Sequence, residues 1–174
     1  MSRDAFYKTL AQTVQPIPAD AVPWKPCIHF CLYVHRVEGL KPGIYFLVRD
    51  PDQLERFKEN TDSRFLWKKP EGCPGGLHLY LLTEMNIQRE AAQVSCTQEI
   101  AGQSAFSLGM IAEFNTALQE QGAWYYRRLF WEAGLVGQML YLAAEYTGLR
   151  ATGIGCYFDD PVHEILKLRG NRFQ

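Results

Sequence analysis

Ala123-Trp124-Tyr125-Tyr126-Arg127-Arg128-Leu129-Phe130-Trp131-Glu132-Ala133-Gly134-Leu135-Val136-Gly137-Gln138-Met139-Leu140-Tyr141-Leu142-Ala143-Ala144-Glu145-Tyr146-Thr147 is the longest helical pattern in the chain. Leu129, Phe130, Trp131, Leu135, Val136, Met139, Leu140, Leu142 and Ala143 cover most angles around its axis, so this helix has to be buried on nearly every side. It belongs either in the domain centre or against a second subunit. Ala133, Gly134 and Gly137 make a strip of small residues, and each interior glycine costs about 1 kcal/mol relative to alanine. That cost points to close helix packing or to a ligand. Gly148 is the expected cap.

Downstream, Ala151 to Phe158 reads as a strand, and Asp160 with Pro161 opens a last helix through about Leu168. Upstream, Asp4 to Val14 is a short amphipathic helix closed by Pro16 and Pro18. Cys27 to Val37 and Ile44 to Val48 form a hairpin, and Asp50-Pro51 starts a short helix through Lys58. Asn60 to Gly76 is mostly loop, Leu77 to Thr83 a strand and Asn86 to Gly102 a helix. Ser104 to Glu113 is an apolar run read as a buried strand, although its periodicity also admits a helix. Strands interleaved with helices in this order predict an α+β layer architecture, a mixed sheet with helices packed on it and the long helix at its centre.

The chain has 174 residues, 47% of them apolar and 21% charged, which describes one globular domain burying roughly 70% of its unfolded surface. A net charge of −1 with scattered basic residues gives no field for nucleic acid. The apolar runs fall short of the ~20 residues that span a bilayer, and Met1 to Phe6 has no signal core. Five cysteines without framework spacing suit free thiols in a reducing cytoplasm. Cys27, His29 and Cys31 alternate on one strand face, but i and i+4 lie ~13 Å apart there, too far for three ligands on one metal.

Gly153-Ile154-Gly155 is the glycine-rich element with a ligand role in view, since glycines let a backbone approach a flat ring or a phosphate. A tight crossover between the long helix and its strand explains the same residues. The glycines fall early in a strand that follows a helix, the reverse of the dinucleotide fingerprint. No phosphate-binding loop, nucleophile elbow or zinc-protease pattern occurs. The histidines His29, His35, His78 and His163 and the carboxylates Glu132, Asp159 and Asp160 show no specific coupling. A protein whose cofactor carries the chemistry shows this lack of a catalytic constellation, and so does a pure binding module.

Two runs carry a family resemblance. Tyr33-Val34-His35-Arg36-Val37-Glu38-Gly39-Leu40-Lys41-Pro42-Gly43-Ile44-Tyr45 resembles the hairpin of SagB/ThcOx-type dehydrogenases, a branch of the FMN-dependent nitroreductase superfamily. Tyr126-Arg127 through Glu132 to Gln138, Leu142 to Ala144, Gly148-Leu149 and Gly153 to Asp160 are similar to that branch in identity and spacing, and Gln98 before an apolar strand also fits. The match runs from Cys27 to Leu168 within a single nitroreductase-like domain, residues 1–174.

The resemblance implies a two-layer α+β flavin-binding fold working as a homodimer, with FMN in a cleft between subunits. It places Gly153, Ile154, Gly155 and Cys156 beside the isoalloxazine. The implied reaction is hydride transfer through flavin N5, between a nicotinamide such as NAD(P)H or another donor and a small-molecule or peptide acceptor. Against the family pattern, the chain lacks the N-terminal basic segment that holds the FMN phosphate and the C-terminal strand, and Ala19 to Pro26 lacks a serine-rich stretch. A flavin-less subunit, serving dimerisation or substrate binding in a modification complex, is the alternative.

Overall fold

The structure is a computed structural model, described here for residues 1–14, 20, 22–170 and 172–174. Pro16 and Pro18, expected to close the first helix, lie outside the described residues. Helix α1 (Arg3–Val14) leads into strands β1 (Ile28–Val34) and β2 (Gly43–Leu47). A 3₁₀ turn and α2 (Leu54–Asn60) follow, then β3 (Leu79–Glu84), α3 (Gln88–Val94), α4 (Glu99–Gln103) and β4 (Phe106–Ala112). Helices α5 (Phe114–Gln121), α6 (Tyr126–Tyr146) and α7 (Asp159–Leu166) complete the order.

Among the described residues four strands form one sheet in the order β3-β2-β1-β4, every pair antiparallel and not mixed as expected, since each neighbour runs opposite to the strand it joins. All seven residues of β1 are buried, because the sheet is covered on both faces. Phe30, Leu32, Val34, Tyr45 and Leu47 point to the side of α1 and α6, where they meet Phe6, Leu10, Leu129 and Val136. Cys31, Tyr33, Phe46, Val48 and Leu82 point to the other side, against Phe57 of α2, Ala91 and Val94 of α3 and Leu166 of α7. Helices on both faces and the sheet between them therefore make three layers, not the two expected. Gly43 is fixed by close approach: a Cβ there would stand 2.1 Å from the Thr83 carbonyl oxygen, where the β2–β3 register shifts.

Several expected elements differ. Residues 151–158 form no strand: the backbone there is exposed apart from half-buried Ile154 and pairs with no sheet edge. Asn86 to Gly102 is two helices, because Cys96 (φ 54°) and Thr97 (φ 59°) turn the chain through the left-handed region between α3 and α4. Helix α5 was not anticipated from the sequence. Not all thiols are free, since Cys96 and Cys156 form a disulfide, leaving Cys27, Cys31 and Cys73 reduced. Helix α7 begins at Asp159, so its N-cap is Phe158 and Asp160 falls in the first turn. Asp50 caps as read, its side chain accepting from the Asp52 amide at 3.2 Å. No helix among the described residues is long and apolar enough to cross a membrane.

One polar cluster lies inside the core. Glu132 of α6 and Arg49, just past β2, form an ion pair at 2.5 Å with both side chains fully buried. Glu132 also accepts from the backbone amides of Cys27 (3.0 and 3.1 Å) and Ile28 (3.1 Å) and from the Trp24 indole (3.2 Å). Arg49 donates to the carbonyls of Thr13 (2.8 Å) and Ile28 (2.9 Å). The pair thus stitches the end of α1, the start of β1, the end of β2 and α6 together. A buried charge left without its partner costs far more than the intact pair contributes. Glu132→Gln should therefore lower unfolding free energy by about 3–5 kcal/mol in urea titration, and Arg49→Met combined with Glu132→Leu should recover much of that loss.

His29 sits in the same neighbourhood. Its Nδ1 accepts from the Arg49 amide at 3.2 Å, which puts the proton on Nε2, and burial followed by the Arg49 charge depresses the imidazole to about 3. Below pH 6.5 the unfolded chain takes up a proton that the folded protein refuses until pH approaches about 3. Stability should accordingly fall with acid through that window, this one group contributing up to about 1.4 kcal/mol per pH unit. In His29→Asn, which keeps an acceptor for the Arg49 amide, the slope of stability against pH between about 4 and 6 should be shallower by roughly one proton.

Candidate functional site

The candidate site is built where α6 ends. Gly148, at φ 73°, closes the helix by donating to the Glu145 carbonyl at 3.0 Å, while the Leu149 amide reaches back to Ala144 at 2.8 Å. These two bonds satisfy the last carbonyls of α6 and turn the chain sharply out of the helix. The chain then runs through Gly153, Ile154, Gly155 and Cys156 without regular structure. Gly153 donates its amide to the Tyr141 hydroxyl of α6, and Phe158 donates to the Val94 carbonyl of α3 at 2.8 Å. The Cys96–Cys156 disulfide fixes the segment to the turn between α3 and α4.

This segment offers bare backbone. A Cβ at Gly155 would meet nothing within 4 Å, and one at Gly153 would meet only the Tyr141 hydroxyl, at 3.4 Å. Among the described residues the amides of Ile154, Gly155 and Cys156 donate to no group of the chain. Exposed backbone with unpaired N–H groups suits contact with a planar ring on which negative charge develops.

Beside it, α6 exposes one whole face. Leu129, Glu132, Val136, Ala143 and Ala144 are the buried residues of this helix. Phe130, Trp131, Tyr141, Leu142 and Tyr146 lie outward, Phe130 58% and Leu142 61% exposed. Within the single chain, the all-round burial expected of this helix is met on one face only. Gly137 packs inward, its added Cβ 3.9 Å from Met110 of β4, whereas Gly134 faces open space. Tyr126 and Phe130 pack edge to face at 4.9 Å on the exposed side. The Tyr157 phenol nearby is pushed up by partial burial and by Asp159 and Tyr126.

The titratable residues considered from sequence do not converge. His29 lies in the core, His35 is buried past β1 with Nε2 on the Ala101 carbonyl at 3.0 Å, and His78 meets the Tyr80 hydroxyl at 3.5 Å. His163, Asp159 and Asp160 belong to α7, and Glu132 is consumed by Arg49. Sequence reading missed Arg49 altogether, since an arginine after a strand carries no local sign of being buried. Clefts of about 310 Å³, lined by His35, Lys41, Glu84 and Asn86 among others, and about 320 Å³, lined by Val94, Pro161 and Glu164 among others, do not include Gly153 to Cys156.

The fit to a phosphate-bearing flavin is uneven. Arg3 lies against Gly39 and Gly72. Arg128 is stacked between the Trp24 and Trp124 rings, at 4.7 and 4.4 Å. Arg150 pairs with Glu145, and Arg127 is exposed. The backbone that would face the ring is open, whereas Arg128 and Arg150 are already engaged within the chain.

Comparison with solved structures places the architecture. A candidate nitroreductase from Anabaena variabilis superposes with a TM-score of 0.72 at 23% identity, over 97% of this chain and 31% of that one. The fold is nitroreductase-like. A chain of the E. coli microcin synthetase McbBCD complex, solved with truncated pro-MccB17 bound, superposes with a TM-score of 0.60 at 18% identity, over 99% of this chain and 60% of that one. This chain therefore spans less than two thirds of the length of either neighbour. Neither a protein-family profile nor a curated protein matches the sequence. Within this fold the Gly153 amide rests on the hydroxyl of Tyr141, one of the outward residues of α6.

Proposed function

We propose that the protein is an FMN-dependent oxidoreductase of nitroreductase type, similar to the SagB/ThcOx branch, acting as a homodimer. The reading rests on one juxtaposition within a nitroreductase-like fold: the bare backbone of Gly153 to Cys156 lies next to the outward aromatic and aliphatic face of α6. Bound there, FMN would supply hydride transfer through N5, between NAD(P)H or another donor and a small-molecule or peptide acceptor. The residues of this chain would hold the ring against Gly153, Ile154 and Gly155, direct the amides of Ile154 to Cys156 at its developing negative charge, and exclude water with Tyr141 and Tyr157. A second copy on α6 would cover Phe130, Trp131, Leu142 and Tyr146 and close the other side of the site. The helix is roughly 30 Å long, enough to contribute to a standard interface of about 800 Å² per partner.

The second reading, a flavin-less subunit for dimerisation or substrate binding in a modification complex, draws support from two observations. One solved neighbour is a chain of a multi-subunit synthetase complex, and Arg150 and Arg128 are engaged within the chain. The two readings separate on colour: purified protein that is yellow, or becomes so with FMN, supports the first.

Each charge-assisted hydrogen bond to phosphate contributes about 1.5–3 kcal/mol, so with Arg128 and Arg150 engaged within the chain FMN affinity should lie in the micromolar range, roughly two to four powers of ten weaker than if two such donors were free. Gly155→Val should abolish binding in a flavin titration while leaving the unfolding curve unchanged. Tight binding by that variant would remove the ring from this segment. Sedimentation at micromolar concentration should give a dimer for the wild type and a monomer for Phe130→Glu combined with Leu142→Glu. A monomeric wild type would end the proposal of a shared site.

A further inference from the structure

We propose that the Cys96–Cys156 disulfide is a redox latch on residues 151–158, opened by a dithiol reductant. The bond joins two parts of the molecule that differ in how firmly they are built. On one side, Cys96 lies in the turn between α3 and α4, held by amide bonds from Ser95 to Ala92 (3.2 Å) and from Gln98 to Ser95 (3.1 Å). Helix α4 is pressed so closely on α3 that a Cβ at Gly102 would stand 2.3 Å from the Gln88 carbonyl oxygen. That close packing keeps Cys96 and Thr97 in the left-handed region, which residues with side chains rarely occupy.

On the other side, the segment has little of its own. Besides the disulfide, the Gly153 amide on the Tyr141 hydroxyl and the Phe158 amide on the Val94 carbonyl are its hydrogen bonds to the rest of the chain among the described residues. Its residues are exposed except for half-buried Ile154, so apolar burial does not hold it down. Opening the bond releases the segment and leaves the anchor in place.

The bond is also within reach of solvent. Cys156 is exposed and Cys96 half-buried, while Cys31 is buried and Cys27 and Cys73 pack on the opposite side of the sheet from α3. Reduction proceeds by exchange. A thiolate of the dithiol attacks one sulfur, the S–S bond breaks and a mixed disulfide forms. The second thiol then closes a disulfide within the reductant and frees the remaining cysteine. Two electrons and two protons pass from the dithiol to Cys96 and Cys156. The latch is closed in an oxidising compartment and open in a reducing one. If the ring-facing role proposed above holds, the closed state presents Gly153 to Cys156 in fixed form, and the open state must order them on binding and takes FMN more weakly.

The test uses the full chain, oxidised in air, then reduced with dithiothreitol, beside Cys96→Ser and Cys156→Ser. Thiol titration in denaturant should count three thiols before reduction and five after it. Hydrogen exchange should quicken by about tenfold or more at the hydrogen-bonded amides of Gly153 and Phe158 on reduction and in both variants, with β1 and β2 unchanged and the effect reversed on reoxidation. Five thiols in the oxidised protein, unchanged exchange, or loosening spread through the sheet would each overturn the latch. Exchange that responds as expected in a protein that binds FMN in neither state would leave the latch standing and overturn the flavin reading.

Discussion

The Arg49–Glu132 ion pair sets the orientation of everything around it. Both groups are fully buried, and between them they accept or donate to the backbone of α1, of β1 and of the strand entry at Cys27. Such a pair has demanding geometry, because each charge must find its partners to offset its loss of water. Apolar packing alone would tolerate rotation of α6 on the sheet. A carboxylate that must meet a guanidinium and two amides does not. Once Glu132 points inward, Leu129, Val136 and Ala143 follow it at helical spacing, and the opposite face is committed to solvent or to a partner.

That commitment explains why α6 resembles a core helix and is only half covered. Its outward residues include several large apolar groups in one stripe, more than isolated surface residues would give. The glycine segment emerges from the same helix end, so the bare backbone and the apolar stripe share one surface by construction. The turn at Gly148 makes this happen: with its left-handed φ it ends the helix abruptly and sends the chain across the surface instead of into the sheet.

The segment after that turn is the least embedded part of the candidate site. It owes its course to one covalent tether and two hydrogen bonds, where the sheet is held by ladders and by apolar contacts on both faces. Under the function proposed, so thinly attached a segment would be completed by a flavin, a second copy of the chain or both.

The sequence by itself determined the elements whose signals are local. The hairpin of β1 and β2, the Asp50 cap, the long helix and its glycine stop at Gly148 were all legible, because periodicity, capping chemistry and left-handed turns act over a few residues. The α+β class was legible for the same reason. Tertiary structure alone decided the rest. Whether 151–158 became a strand depended on a free sheet edge meeting it, which periodicity cannot report, and glycines without side chains gave that segment nothing to bury. The break at Cys96 and Thr97, the covering of both sheet faces, the joining of two cysteines 60 residues apart and the burial of Arg49 against Glu132 all depend on which distant groups meet. Pairings of that kind are fixed by the packing of the whole chain, since their free energy comes from desolvation and close contact between elements that no local stretch of sequence contains.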